Sequence, residues 1–308
     1  MTVAGPFARC DAGRPTVGRG LAGVVGRPVA RWVPDPMIGA VELSLVAGAG
    51  GPFETFEQLC AYFDAAAGAG FASVTLSADM VGAGGEGPEG VGRVAEALRQ
   101  RGLRCSDLSS IVVRRDDEAA LSSATSMARW AEALGARFVT GLLFTRVSDE
   151  SIDRLGRCAD LVEASGAQLS IEFAPTGAVE SIPEALAVVE RIGPSRSGVL
   201  IDSWHFCRGP STWEDLESIP LDRIAFVQFD DALEPSGADM MAETTGRRTW
   251  PGQGTFDLER FATTLTGRGW DGLVSVEVLS EEHRRLDPAT FARRAFETSR
   301  PFWVTEPA

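Results

Sequence analysis

The chain has 308 residues and a formal charge of −14, from 43 acidic and 29 basic side chains, and every one of the basic residues is arginine. Without lysine there is no Schiff-base nucleophile, no pyridoxal phosphate anchor and no Walker-type phosphate lysine. His205 and His283 are the only histidines and Tyr62 the only tyrosine, so a multi-histidine zinc cluster is excluded and acid–base work falls to carboxylates.

Hydrophobic residues make up 44% and charged residues 23%, the balance of a packed globular protein. The acidic charge argues against nucleic acid or an anionic membrane as partner and leaves a small molecule. The five cysteines, Cys10, Cys60, Cys105, Cys158 and Cys207, lie far apart with no CxxC spacing, which indicates neither a disulfide framework nor a thiolate metal site and suits a reducing cytoplasm. No apolar run approaches the ~18–20 residues that span a bilayer. Self-association into a homo-oligomer is compatible with all of this.

Residues 1–36 are rich in Gly, Pro and Arg, with Arg9, Arg14, Arg19, Arg27 and Arg31 against Asp11 and Asp35. They lack an apolar period and are expected to form an extension, flexible or laid over the surface, ahead of a single domain over 37–308. From residue 38 onward short apolar runs alternate with amphipathic stretches eight times. The expected strands are Val41–Val46, Ser73–Leu76, Arg104–Leu108, Phe138–Leu143, Leu169–Phe173, Val199–Asp202, Ile224–Phe229 and Leu273–Val278. Helical patterns fall at Phe56–Ala67, Glu118–Leu134, Ile152–Glu163, Pro183–Ile192, Leu258–Leu265 and Pro288–Arg300. Near-continuous apolar strands separated by helices make a parallel sheet covered by helices. Eight such units fit an α/β fold of the (β/α)8 barrel type, the TIM barrel, better than an open doubly wound sheet, and no GxGxxG follows the first strand. The active site of a barrel forms at the C-terminal ends of its strands.

Four polar residues end otherwise apolar strands: Glu172, Asp202, Gln228 and Glu277, on the fifth to eighth strands. Each alone could be a strand-end cap or an ion-pair partner. Three carboxylates buried at one mouth, however, are severely unfavourable unless a cation compensates them. An all-oxygen donor set suits one divalent metal ion of the hard class, Mn2+ first, with Mg2+ or Co2+ as alternatives. His205, three residues after Asp202, is expected to support a ligand or touch substrate. Trp204 packs against the rim or lines the site, and Arg208 holds a substrate oxyanion or pairs with surface acids. The long segment from Asp231 to Thr255 carries Arg248 just before Pro251-Gly252, where it can reach across the mouth; otherwise both Arg247 and Arg248 balance Asp230 and Asp231.

These residues carry a resemblance. Ser-Ile-Glu172, Ile-Asp202-Ser-Trp-His205, Val-Gln228-Phe-Asp230-Asp231-Ala, Arg248-Thr-Trp-Pro-Gly-Gln-Gly254 and Gly-Trp-Asp-Gly-Leu-Val-Ser-Val-Glu277 resemble the xylose-isomerase-like barrel superfamily. The branch in question, the sugar phosphate isomerases/epimerases, includes ketose 3-epimerases, inosose dehydratases and 3-dehydroshikimate dehydratases. The resemblance implies that Glu172, Asp202 and Glu277 bind the metal, with Gln228 where many members have histidine. It implies too that Glu172 and Glu277 move protons and that His205 and Arg248 contact substrate oxygens. Glutamine at position 228 and the Pro-Gly-Gln-Gly run are similar to the bacterial 3-dehydroshikimate dehydratases. True xylose isomerases use a lysine absent here, and the endonuclease relatives need more histidines than two.

The expected chemistry is a proton taken by a glutamate from a carbon next to a metal-polarised carbonyl, with the enediolate held by Arg248 and His205. Reprotonation gives isomerisation or epimerisation of a keto sugar or cyclic keto polyol, whereas loss of a β-hydroxyl gives dehydration. Two other classes stand beside this one. A metal-free retaining glycosidase would use Glu172 and Glu277 roughly 5–5.5 Å apart, and a non-catalytic partner subunit would keep the mouth as a pocket.

Overall fold

A computed structural model describes residues 41–46, 53–115, 117–237 and 239–304. The expected N-terminal extension, residues 1–36, lies outside the described residues. The first half runs β1 Glu42–Val46, α1 Phe56–Ala69, β2 Ser73–Ser77, α2 Ala78–Ala83, α3 Gly87–Gln100, β3 Arg104–Val113, α4 Asp117–Leu134, β4 Phe138–Leu143, α5 Asp149–Ala164 and β5 Gln168–Glu172. The second half runs α6 Ile182–Ile192, β6 Ser197–Asp202, α7 Ser203–Arg208, α8 Trp213–Ser218, β7 Ile224–Phe229, β8 Asp231–Ala232, α9 Met240–Gly246, β9 Arg248–Thr249, α10 Leu258–Thr266, β10 Leu273–Val276 and α11 Pro288–Trp303.

Eight strands close a parallel barrel in the order β1-β10-β7-β6-β5-β4-β3-β2, while β8 and β9 pair separately and antiparallel. All eight expected strands form, within a few residues at their ends. Helix α3 is an addition to the expected elements, because its glycines and its polar face weaken the helical signal. The segment from Asp231 to Thr255, which reads as a loop in the sequence, contains α9 and the β8–β9 pair.

The helices begin where their sequences provide caps. The Thr55 side chain accepts from the Gln58 N–H while Gln58 reaches back, and Ser148 does the same with Ser151. Their apolar faces cover the outside of the barrel, where Leu59, Phe63, Leu155, Val189, Phe261 and Ala295 are fully buried. Inside, residues alternate with period two. Leu200, Phe226 and Leu273, with Phe138 packed on them, form a separate apolar cluster below the mouth. The first three lie two or four residues before a polar residue at the mouth, on the same inward face.

At the opposite end, Glu42 accepts from Arg104 at 2.9 Å, Arg137 at 3.2 Å and Ser73 at 2.6 Å, tying the starts of β1, β2, β3 and β4 together. No helix among the described residues is long and apolar enough to cross a membrane.

Candidate active site

Asp202 is both the last residue of β6 and the N-cap of α7. Its Oδ1 accepts the N–H groups of Trp204 at 2.6 Å and His205 at 3.1 Å, which leaves Oδ2 to face the mouth. The same short turn brings His205 Nε2 to 3.2 Å from Glu172 Oε1, at the end of β5, and 3.8 Å from Asp202 Oδ2. The Trp204 ring stands edge-on to His205, with centroids 5.3 Å apart.

Gln228 is the register partner of Asp202, and its Nε2 donates to Glu277 Oε1 at 3.3 Å. Glu277 follows β10 by one residue, and its N–H still donates to Phe229 O at 3.2 Å. The structure thus brings Glu172, Asp202, Gln228 and Glu277 to one end of the barrel, with His205 beside them.

Arg248 Nη1 donates to Asp202 Oδ2 at 2.9 Å, to Glu277 Oε2 at 3.0 Å and to Asp230. Its Nε and Nη2 donate to Thr244 O and Oγ1, each at 2.9 Å, so α9 anchors the guanidinium from behind. Trp204 lies beneath it, 5.6 Å from ring centroid to guanidinium carbon.

Asp230 joins the cluster, although sequence reasoning places it only as a balancing charge. The usable signal is its position two residues after Gln228, which the alternation of β7 carries to the same face. Arg247 instead pairs with Glu243 at 3.0 Å. The oxygens of Asp231 accept from the Ala232, Gly252, Gly254 and Phe256 N–H groups at 2.8–3.1 Å, so this carboxylate is bound by backbone and not by the two arginines. The Pro-Gly-Gln-Gly run therefore wraps a carboxylate. Gly252 has φ +79°, and a Cβ on Gly254 would stand 2.2 Å from Asp231 Oδ1. Arg208 lies outside the carboxylate cluster, over the Phe256 ring and donating to Leu233 O at 2.8 Å.

Electrostatically the mouth is short of positive charge. Burial pushes Asp230 well above the usual carboxylate range against the pull of Arg248, and the like charge of Asp202 adds to the rise. Burial does the same to Glu277, again opposed by Arg248 and reinforced by Asp202 and Glu172. At Asp202 burial also works upward, but Arg248 and His205 outweigh it and hold the carboxyl below its ordinary value. Burial would lower Arg248; Asp202, Asp230 and Glu277 raise it instead, so it stays charged.

Among the described residues two sets of side chains have ligand atoms within 4.8 Å of one another: Glu172, Asp202 and His205, and Asp202, Asp230 and Glu277. Arg248 already fills the second set. On the other side, Gln228 Oε1 is buried with no hydrogen-bond partner, and so is His205 Nδ1. An orphaned carbonyl oxygen beside three carboxylates is a donor set that fits a hard divalent cation.

A family model described as xylose isomerase-like TIM barrel matches residues 63–301. An inosose isomerase of Bacillus licheniformis is 29% identical over 155 residues, which are 50% of this chain and 55% of that protein. The chain thus spans little more than half the length of that relative. An inosose isomerase of Bacillus velezensis is 27% identical over 222 residues, covering 67% of this chain and 78% of its own. A 3-dehydroshikimate dehydratase of Pseudomonas aeruginosa is 28% identical over 133 residues, 43% of this chain and 21% of that one. Among solved structures, that of IOLI protein with a binding zinc atom superposes with a TM-score of 0.74 at 19% identity, covering 85% of this chain and 98% of that one. At that identity the likeness is one of fold.

Proposed function

Because the chain belongs to the xylose isomerase-like TIM barrel family, we propose that it is a divalent-metal-dependent isomerase or epimerase of a neutral cyclic keto polyol of the inosose type. The observation that carries this reading is the pair Glu172 and Glu277 facing one mouth with Asp202 and the orphaned Gln228 Oε1 between their strands. Glu172, Asp202, Gln228 and Glu277 would hold the metal, Mn2+ ahead of Mg2+ or Co2+. When bound, such an ion acts as a Lewis acid on the substrate carbonyl and the neighbouring hydroxyl and makes the adjoining C–H acidic.

The chain's own residues do the rest. One glutamate removes the proton and the other returns it, either to the opposite face of the same carbon or to the neighbouring carbon. His205, beside Glu172 at 3.2 Å, orients that carboxylate and contacts a substrate oxygen. Arg248 sits where negative charge develops on the substrate, and buried Trp204 keeps the guanidinium in place.

Charge supports a neutral substrate. Among the described residues the cluster sets four carboxylates against Arg248, each of whose nitrogens already donates within the protein. With the four ionised and one divalent ion bound, one negative charge remains in excess, which disfavours a substrate carboxylate or phosphate. Dehydration is the second reading. It is favoured by Gln228 and the Pro251-Gly252-Gln253-Gly254 run, and by the relative named as a 3-dehydroshikimate dehydratase. The cytoplasmic setting and self-association expected from the sequence belong to the same reading.

Incubation with inososes, ketoses and 3-dehydroshikimate in D2O with Mn2+ tests the proposal. Deuterium entering an inosose beside its carbonyl, with a new isomer formed, is the expected result. Loss of water from 3-dehydroshikimate without exchange into inososes would favour the second reading. No exchange and no water loss from any of them would overturn both.

A further inference from the structure

Beneath the site, on the side of β1 to β5, the barrel interior is polar instead of aliphatic. Strand β3 carries register irregularities against both neighbours, and its pairing with β2 passes from Cys105 directly to Asp107. A bulge re-aims side chains, and here it turns two consecutive residues inward, which strict alternation forbids. Ser106 Oγ meets Ser44 Oγ of β1 at 2.8 Å. Asp107 Oδ1 accepts from Ser106 at 2.7 Å, Thr75 of β2 at 2.9 Å and Ser275 of β10 at 3.4 Å. Because β1 and β2 separate β10 from β3 in the barrel, the carboxylate must reach well inside it.

Asp107 is 0% exposed, and its Oδ2 has no hydrogen-bond partner. Two more orphaned oxygens lie on the next strands round: Thr140 Oγ1 on β4 and Ser170 Oγ on β5, register partners that are 1% and 0% exposed. Ser170 precedes Glu172 by two residues and therefore faces inward, one layer below the mouth. Thr140 follows Phe138, the register partner of Asp107 on β4, by two residues, so the three oxygens belong to neighbouring positions on three consecutive strands. Arg137 acts on this carboxylate through space, and it donates to Glu42 at 3.2 Å.

We infer that Asp107 Oδ2, Thr140 Oγ1 and Ser170 Oγ hold a monovalent alkali cation, Na+ in the first place, inside the barrel and apart from the divalent site at the mouth. Three buried oxygens without partners call for a ligand with oxygen affinity. One carboxylate among neutral hydroxyls matches a single positive charge, whereas a divalent ion would leave an uncompensated one. The inference does not depend on the activity proposed above.

Thermal unfolding of the full chain in NaCl, KCl and choline chloride at equal ionic strength tests it. Saturating Na+ is expected to raise Tm over choline by about 3–6 °C, with a saturable concentration dependence. Asp107→Asn should abolish that difference and Asp202→Asn should keep it. Equal Tm in all three salts, or a difference that survives Asp107→Asn, overturns the site. Should Asp107→Asn fail to fold, anomalous diffraction from wild-type crystals grown in RbCl decides: a peak bonded to Asp107 Oδ2 supports the cation, and water or empty density there contradicts it.

Discussion

At the floor of the barrel one glutamate, Glu42, meets Arg104, Arg137 and the Ser73 hydroxyl, so positive charge exceeds negative and both arginines remain partly in solvent. At the mouth Asp202, Asp230 and Glu277 gather round Arg248, which is 2% exposed, Glu172 lies beside His205, and negative charge exceeds positive. Both ends bury carboxylates, but only at the floor do the cations match or outnumber them. A buried surplus of like charge destabilises a fold, and burial accordingly pushes Asp230 and Glu277 toward their protonated forms. In the proposed reading, a floor with its carboxylate fully paired serves stability, and a mouth with carboxylates in surplus serves a cation and proton transfer. The contrast fits the division of labour usual in (β/α)8 barrels.

The largest effect that would sharpen this contrast is on turnover. Glu277→Gln should lower kcat for proton exchange by about 10³–10⁴-fold while leaving Tm of the metal-free protein unchanged or higher, since it removes a charge from the surplus. A variant that keeps its rate would break the assignment of Glu277.

The next effect concerns pH. Burial raises Asp107 from 3.8 to about 6, and Arg137, Cys105 and Tyr62 are the titratable groups that feel its charge. The native state therefore binds a proton that the unfolded chain has already released between about pH 4 and 6. That contribution to stability is complete below pH 4 and is lost as pH rises through 6, by about 3 kcal/mol. Denaturant unfolding in choline chloride should show the fall in wild type and a fall smaller by about 3 kcal/mol in Asp107→Asn over the same range, the remainder belonging to Asp230 and Glu277.

The smallest effect lies at the floor. Glu42→Ala should cost about 2 kcal/mol of stability in urea unfolding, moderated by the solvent around Arg104 and Arg137, with kcat unchanged. A loss of turnover equal to that of Glu277→Gln would erase the distinction between the two ends.

Much of the mouth is legible in the sequence because a polar residue ending an apolar strand is a visible break in pattern. Glu172, Asp202, Gln228 and Glu277 stand out in this way, and the period of two then places them inward. Asp230 is harder to assign, since it follows β7 immediately and adjoins Asp231, whose carboxylate is held by four backbone N–H groups in and around the Pro-Gly-Gln-Gly turn. Spacing alone does not tell two neighbouring aspartates apart. Arg248 is expected to reach across the mouth, but its simultaneous hold on three carboxylates depends on α9 and the β8–β9 pair, which the run of turn residues conceals. The bulge at Ser106 and Asp107 leaves no mark in the sequence, because a bulge breaks the alternation from which inward faces are read.

The measurement closest to the central claim is calorimetric titration of chelator-stripped protein with Mn2+, run beside Asp202→Asn. The surplus of carboxylates at the mouth predicts one ion bound per chain, with Tm rising on saturation and both responses lost in the variant. No heat and no change in Tm with Mn2+, Mg2+, Co2+ or Zn2+ would mean that the mouth balances its charge by protonation alone, and the metal-dependent reading would fall.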